Sequence, residues 1–266
     1  MGMSLEFRGD SNILHKDRWI GAAQSNCWYH VRPPVRIHPA AIWRNTLNTV
    51  RVWDLPTRLF HWCLVACFVG LVVTGQIGGD AMVWHFRFGY TVLSLLAFRL
   101  VWGIVGGRWS RFISFVKGPI TVLQYLKGNA SPEHSVGHNP MGALSALGLL
   151  FFALVQVGTG LFSDDEIASS GPLAKMVSGD WVSLATNYHT EVGKVILIVL
   201  VLLHVGAIVF YRVRKGENLV APMLHGDKEL PQAFPSSRDD AVSRTVGVIV
   251  FALCALAVAW LVKWAG

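Results

Sequence analysis

Five apolar runs, each close to the length of a membrane-spanning helix, constrain this chain more than any other feature. They cover residues 61–77, 86–106, 141–162, 191–213 and 246–262. A span needs about 20 apolar residues to cross about 30 Å of hydrocarbon, and a helix satisfies every backbone amide internally where no water can. Only 15% of the 266 residues are charged, against about 25% in soluble chains. The expected fold is an all-α integral membrane protein in contact with lipid: a four-helix transmembrane bundle plus a fifth, C-terminal transmembrane helix. The first run begins too late, and lacks the cleavage pattern, for a signal peptide. The net charge of +7 raises the question of nucleic acid. The basic residues flank apolar runs and form no aromatic-interleaved patch, so topology is the better reading and no nucleic-acid partner is expected.

Loop charge predicts orientation. Arg108, Arg111, Lys117 and Lys127 lie between the second and third runs with Glu133 as the one acid, and Arg212, Arg214 and Lys215 follow the fourth. Asp164, Asp165, Glu166 and Asp180 lie between the third and fourth with Lys175 alone. Both point to a cytoplasmic N-terminus and an acidic loop outside. Residues 1–50 contain Pro33, Pro34 and Pro39 and no span-length run. They read as a poorly ordered extension, or as sequence ahead of a true start near Leu47 or Val50. Residues 51–213 form the expected membrane domain, 214–243 a polar linker, and 244–266 an anchoring helix without histidine.

Ten histidines divide by environment. His15, His30, His38, His134 and His225 occupy polar segments. His61, His85, His189 and His204 lie in or at the ends of apolar helices, where an ionisable group is costly and marks function. His189 and His204 are 15 residues apart, about 22 Å along an α-helix and about 60° apart around it. Threading the first helix upward from His61 and the second downward from His85 puts His85 level with His189 and His61 level with His204. Haem iron takes two axial ligands from facing helices, so two bis-histidine haems satisfy all four. The cysteines, Cys27, Cys63, Cys67 and Cys254, include no C-x-x-C-H, which makes the expected cofactors two haem b.

Other residues follow by helix geometry. Gly75 is 14 residues beyond His61, about 21 Å higher and near the same face, where it offers space to the outer haem. Gly158 and Gly160 offer similar space there, and Gly142, Ala143 and Ala146 near the inner haem. Ordinary small-residue helix packing is the competing account. Arg99 lies 14 residues beyond His85, which places a cation level with the inner pair to meet a propionate or a quinone carbonyl. Snorkelling to the surface is its alternative. Arg58, one turn before His61, is a second propionate candidate, and Arg87, Glu191 and Lys194 accompany the outer pair. His138, in GHNPMG, is a polar residue at a helix start, near a propionate at most.

The segments RVWDLPTRLFHW, WHFRFGY, FRLVWG, RFISFVKG, GHNPMGA and NYHTEVGK followed by LLHVGA resemble the bacterial cytochrome b561 family, which is related to the b-type cytochrome subunits of nickel–iron hydrogenases. The resemblance covers about residues 50–213. It implies a diheme electron carrier in the bacterial inner membrane linking quinone to a redox partner, with His85 paired to His189 and His61 to His204.

One-electron transfer across the membrane is therefore the expected function, since six-coordinate iron leaves no open site for oxygen chemistry. Two roles compete within it. The protein exchanges electrons with a periplasmic c-type cytochrome, or it anchors a larger dehydrogenase or hydrogenase. A haem-free metal or proton transporter with histidines along its path is the alternative from another class, and it leaves the pairing by depth unexplained.

Overall fold

A computed structural model describes residues 47–129, 131–165 and 169–266. The readings made for His15, His30, His38, Cys27, the prolines of residues 1–46 and Glu166 lie outside the described residues.

Among the described residues five helices are long and apolar enough to span a membrane, and they correspond to the five runs. They are α1 (Leu55–Ile77), α2 (Met82–Val105), α5 (Pro140–Gly160), α7 (Lys194–Arg214) and α9 (Ala241–Ala265). Three begin with an acceptor cap: Asp54, Asn139 and Asp240 each accept the N–H three residues on at 2.8 Å. Pro56 and Pro140 sit in the first turns of α1 and α5, where a missing N–H costs nothing. Gly78 ends α1 in the left-handed region (φ 67°) and returns its N–H to Thr74 O at 3.0 Å. That turn brings α2 back antiparallel within a few residues.

α2 is the central helix. Val92, Leu95, Leu96, Phe98 and Trp102 are buried against α1, α5 and α9. Phe251 of α9 meets Phe98 edge-on with ring centroids 6.1 Å apart. The other spans turn large apolar side chains outward: Leu202 and Leu203 are 65% and 64% exposed, and Leu256 is 66% exposed. A water-soluble fold does not tolerate such surfaces, whereas lipid requires them. Trp84, Trp181, Trp260 and Trp264 are exposed near one end of the bundle, where amphipathic rings favour the membrane interface.

At the opposite, basic end the chain is more ordered than the sequence suggests. Residues 48–50, expected in the extension, form with Arg51 the strand β1 (Asn48–Arg51), which pairs antiparallel with β2 (Asp227–Leu230), Val50 opposite Lys228. The expected linker thus contains β2 and the short helix α8 (Val220–His225). Val50, Val52, Trp53, Trp109, Val136 and Leu230 form a second buried cluster there. Arg51 bonds Asp227 and Asp239 at 2.6 Å each, and Ser237 bonds Val52 O and the Trp109 N–H. Each piece is too short to show periodicity, and long-range pairing alone reveals it. Between α2 and α5 lie the short helices α3 (Phe112–Phe115) and α4 (Pro119–Leu126). Tyr125 of α4 meets the hydroxyl of Tyr211 in α7 at 2.7 Å.

The acidic loop leads into α6 (Gly179–Asn187), which continues through a π-helical turn (Tyr188–Gly193) into α7. The fourth span is therefore helical over 36 residues, Gly179–Arg214, longer than the apolar run.

Candidate haem sites

The acidic-end pair consists of His85 in the first turn of α2 and His189 in the π turn ahead of α7. Their ring centroids are 6.2 Å apart with planes at 82°. His85 Nδ1 lies 3.1 Å from Leu71 O, and His189 Nδ1 lies 2.8 Å from Gln156 O. A carbonyl only accepts, so each Nδ1 carries the proton and each Nε2 keeps its lone pair. Metal-bound histidines are oriented in this way, the second nitrogen donating to a backbone carbonyl. The separation leaves room for a single iron, since two metal–nitrogen bonds of about 2.0 Å plus two ring radii span roughly 6 Å.

Two glycines seat these rings. A Cβ at Gly75 would lie 3.2 Å from His85 Cε1, and one at Gly160 would lie 2.7 Å from His189 Cε1. Gly75 therefore lies at the acidic-end pair, as its spacing from His61 predicts, with the His85 ring against its Cα. Gly158 has open space beside its Cα and lines an apolar cavity of about 620 Å³ between α5 and α6, with Trp181 and Leu184 on its other wall. Gln156 holds the π turn from α5, its Nε2 donating to His189 O at 2.8 Å.

The π turn closes i→i+5 bonds and so winds less per residue than an α-helix. It contains His189 and runs on to Gly193 on the way to His204, so the angular offset of the two histidines is smaller than that of 15 α-helical residues. Such turns concentrate at functional sites.

At the basic end His61 on α1 and His204 on α7 lie within electrostatic reach of each other, and His138 lies within reach of both and of Arg99. Arg99 does not snorkel. It is 4% exposed, its guanidinium 4.7 Å over the Phe112 ring and 6.0 Å from that of Phe115. The bare Cα of Gly103 gives Phe112 its place against α2. Ala143 is buried at this end, and Gly142 lies against Asn139 and His138. Arg58 is drawn into the basic-end cap, with Nη1 donating to Leu224 O at 2.7 Å and Nη2 3.7 Å from Asp239. Lys194 lies within electrostatic reach of His189. Arg87 is given instead to Trp84, 4.8 Å from its ring centroid on an exposed face.

Asp54 was absent from the sequence-based site, although the D-x-x-T spacing ahead of an apolar run is a capping signal. It is fully buried and accepts four bonds: from Thr57 N and Trp102 Nε1 on one oxygen, and from Gly107 N and Ser110 Oγ on the other. It thereby fastens the basic end of α1 to that of α2, the two helices that carry His61, His85 and Arg99.

The residues present fit haem. Two histidines keep Nε2 free across a gap of the right width, and buried guanidinium and imidazole nitrogens at the basic end lack a hydrogen-bond partner, namely Arg58 Nε, Arg99 Nη1, Arg111 Nε, His134 Nδ1 and His138 Nδ1.

Comparison with known proteins agrees. A "Probable Ni/Fe-hydrogenase B-type cytochrome subunit" of Bradyrhizobium diazoefficiens is 25% identical over 216 residues, covering 68% of this chain and 86% of that protein. One of Azotobacter chroococcum is 27% identical over 218 residues, covering 67% and 88%. A "Probable Ni/Fe-hydrogenase 1 B-type cytochrome subunit" of Escherichia coli K12 is 26% identical over 137 residues, covering 41% and 57%. Residues 52–226, about two thirds of the chain, match the family described as prokaryotic cytochrome b561. That match takes in all four histidines and the helices that present them, and the chain belongs to the prokaryotic cytochrome b561 family, whose members carry haem b.

Proposed function

We propose that this protein is a diheme membrane cytochrome that carries electrons between a periplasmic redox partner and the quinone pool. His85 and His189 hold the outer haem, and His61 and His204 the inner one. The single observation that carries this reading is the His85–His189 pair, 6.2 Å apart with both Nδ1 atoms committed to carbonyls. Haem bound there supplies reversible one-electron chemistry at an iron tuned by its axial ligands and low-dielectric burial.

The chain's own residues orient and enclose. Leu71 O and Gln156 O fix the tautomers, Gly75 and Gly160 admit the rings, and the apolar faces of α2 and α5 exclude water. The inner pair lies about 22 Å from the outer along the fourth span, so the two together cross most of the hydrocarbon. The charge asymmetry of the loops supports a cytoplasmic basic end, hence a cytoplasmic N-terminus, in a bacterial inner membrane.

Of the two partner classes, the relatives' names favour a nickel–iron hydrogenase over a soluble c-type cytochrome. The protein is then the membrane anchor and electron outlet of that enzyme. A pyridine haemochrome assay with potentiometric titration tests the core of the reading. Two haems per chain with two resolved potentials are expected. A purified protein with no low-spin b-type α-band would make a haem-free transporter the better account. Hydrogen-dependent reduction of the haems in membranes, lost on deleting the hydrogenase, tests the partner.

A further inference from the structure

The basic end holds buried polar nitrogens that its own groups leave without a hydrogen bond. Arg99 Nη1 and His138 Nδ1 are both inaccessible to solvent and unpartnered. A buried donor without an acceptor is costly, more so when charged, and a buried guanidinium persists where an anion meets it. Asp54 is the buried carboxylate acting on Arg99, but its two oxygens already accept four bonds.

The two groups share one aromatic wall. Phe115, 3% exposed, lies 6.0 Å from the Arg99 guanidinium and 4.6 Å, centroid to centroid, from the His138 ring. Trp53 closes the other side of His138 at 4.8 Å and 63°. These rings clamp the imidazole and hold its donor in one place. His138 lies within electrostatic reach of His61 and His204 as well as of Arg99. The acidic-end pair has no such buried cation beside it among the described residues, since Lys194 is half-buried and Arg87 exposed.

We propose that Arg99 and His138 together receive the propionate carboxylates of the inner haem, with His138 as a positioning donor and not an axial ligand. This inference rests on the diheme reading. It has an electrical consequence. A cation and a fixed donor at the propionates offset their negative charge, which favours the ferrous state and raises the inner haem's potential.

The test uses the full-length holoprotein in detergent, as wild type and as R99Q, R99K and H138F. The last keeps the ring between Trp53 and Phe115 and removes Nδ1. The readouts are haem content, potentiometric titration and the propionate bending bands in the resonance Raman spectrum. R99Q is expected to lower only the inner potential, by about 59 mV, a tenfold change in the one-electron equilibrium. R99K restores most of it, and H138F moves the inner propionate band and lowers the same potential by less. Unmoved potentials and bands in both R99Q and H138F, with two haems retained, overturn the inference and leave the diheme reading intact. If R99Q loses the inner haem outright, H138F decides, and an unmoved band and potential there overturn it. Fewer than two haems in the wild type sinks the diheme reading and this inference with it.

Discussion

His85 and His189 are 104 residues apart in the chain, yet their rings meet at 6.2 Å and 82°, each with Nδ1 bonded to a carbonyl of a neighbouring helix. Those two bonds orient both rings and leave each Nε2 lone pair uncommitted.

Removing a histidine is expected to remove one haem and spare the other. H189A should lower haem content from two to one per chain and abolish the signal of the acidic-end haem, and H204A should do the same for the basic-end haem. Pyridine haemochrome spectra count the loss, and redox titration identifies which component has gone. Retention of two haems in either variant would reject that ligand.

Gly160 is expected to be less tolerant than Gly75. A Cβ at Gly160 would meet His189 Cε1 at 2.7 Å, where a rigid ring must move, while one at Gly75 meets His85 at 3.2 Å. G160A should therefore tilt the His189 ring and shift the low-field EPR signal of the acidic-end haem or reduce its occupancy. G75A should leave occupancy nearly normal. Equal effects would mean that ring placement is not set by these glycines.

Asp54 is expected to act on stability before function. Asparagine in its place turns an amide N–H₂ towards donors that need an acceptor, in a site with no exposure. Breaking such a network costs about 3 kcal/mol. D54N should melt at a clearly lower temperature in detergent by circular dichroism, with both haems still bound at low temperature. A melting point equal to wild type would show that α1 and α2 do not depend on this clasp.

Asp239 gives the basic-end cap a pH dependence. Burial acts to raise its carboxyl, but hydrogen bonds from Arg244, the Leu55 N–H and Arg51 outweigh that and hold it below the usual carboxylate range. A depressed carboxyl contributes its full stability above the unfolded value of about 3.9 and loses it as pH falls through the lower folded value. D239N should destabilise the protein by about 1–2 kcal/mol at neutral pH, as expected for partly solvated charge-assisted bonds. The gap should stay constant down to about pH 5 and shrink as pH falls below about 3.9 towards the lower folded value. Thermal melts across that range measure it, and a gap that widens on acidification would reverse the sign.

The sequence by itself determined the membrane class, the five spans and the levels of the four histidines. Those follow from hydrophobicity and a constant helical rise, which are local properties and therefore readable along the chain. It also marked Arg99 as a deep cation. Only the tertiary structure decided what surrounds these residues. The carbonyls of Leu71 and Gln156 carry no side-chain signal, because any residue supplies the same acceptor. The π turn at His189 depends on Gln156 reaching across from α5. The clasp of Asp54 on Trp102, Gly107 and Ser110 and the pairing of Asn48–Arg51 with Asp227–Leu230 join segments tens to nearly two hundred residues apart. Such contacts exist once the helices have packed, and no periodicity of either partner announces them.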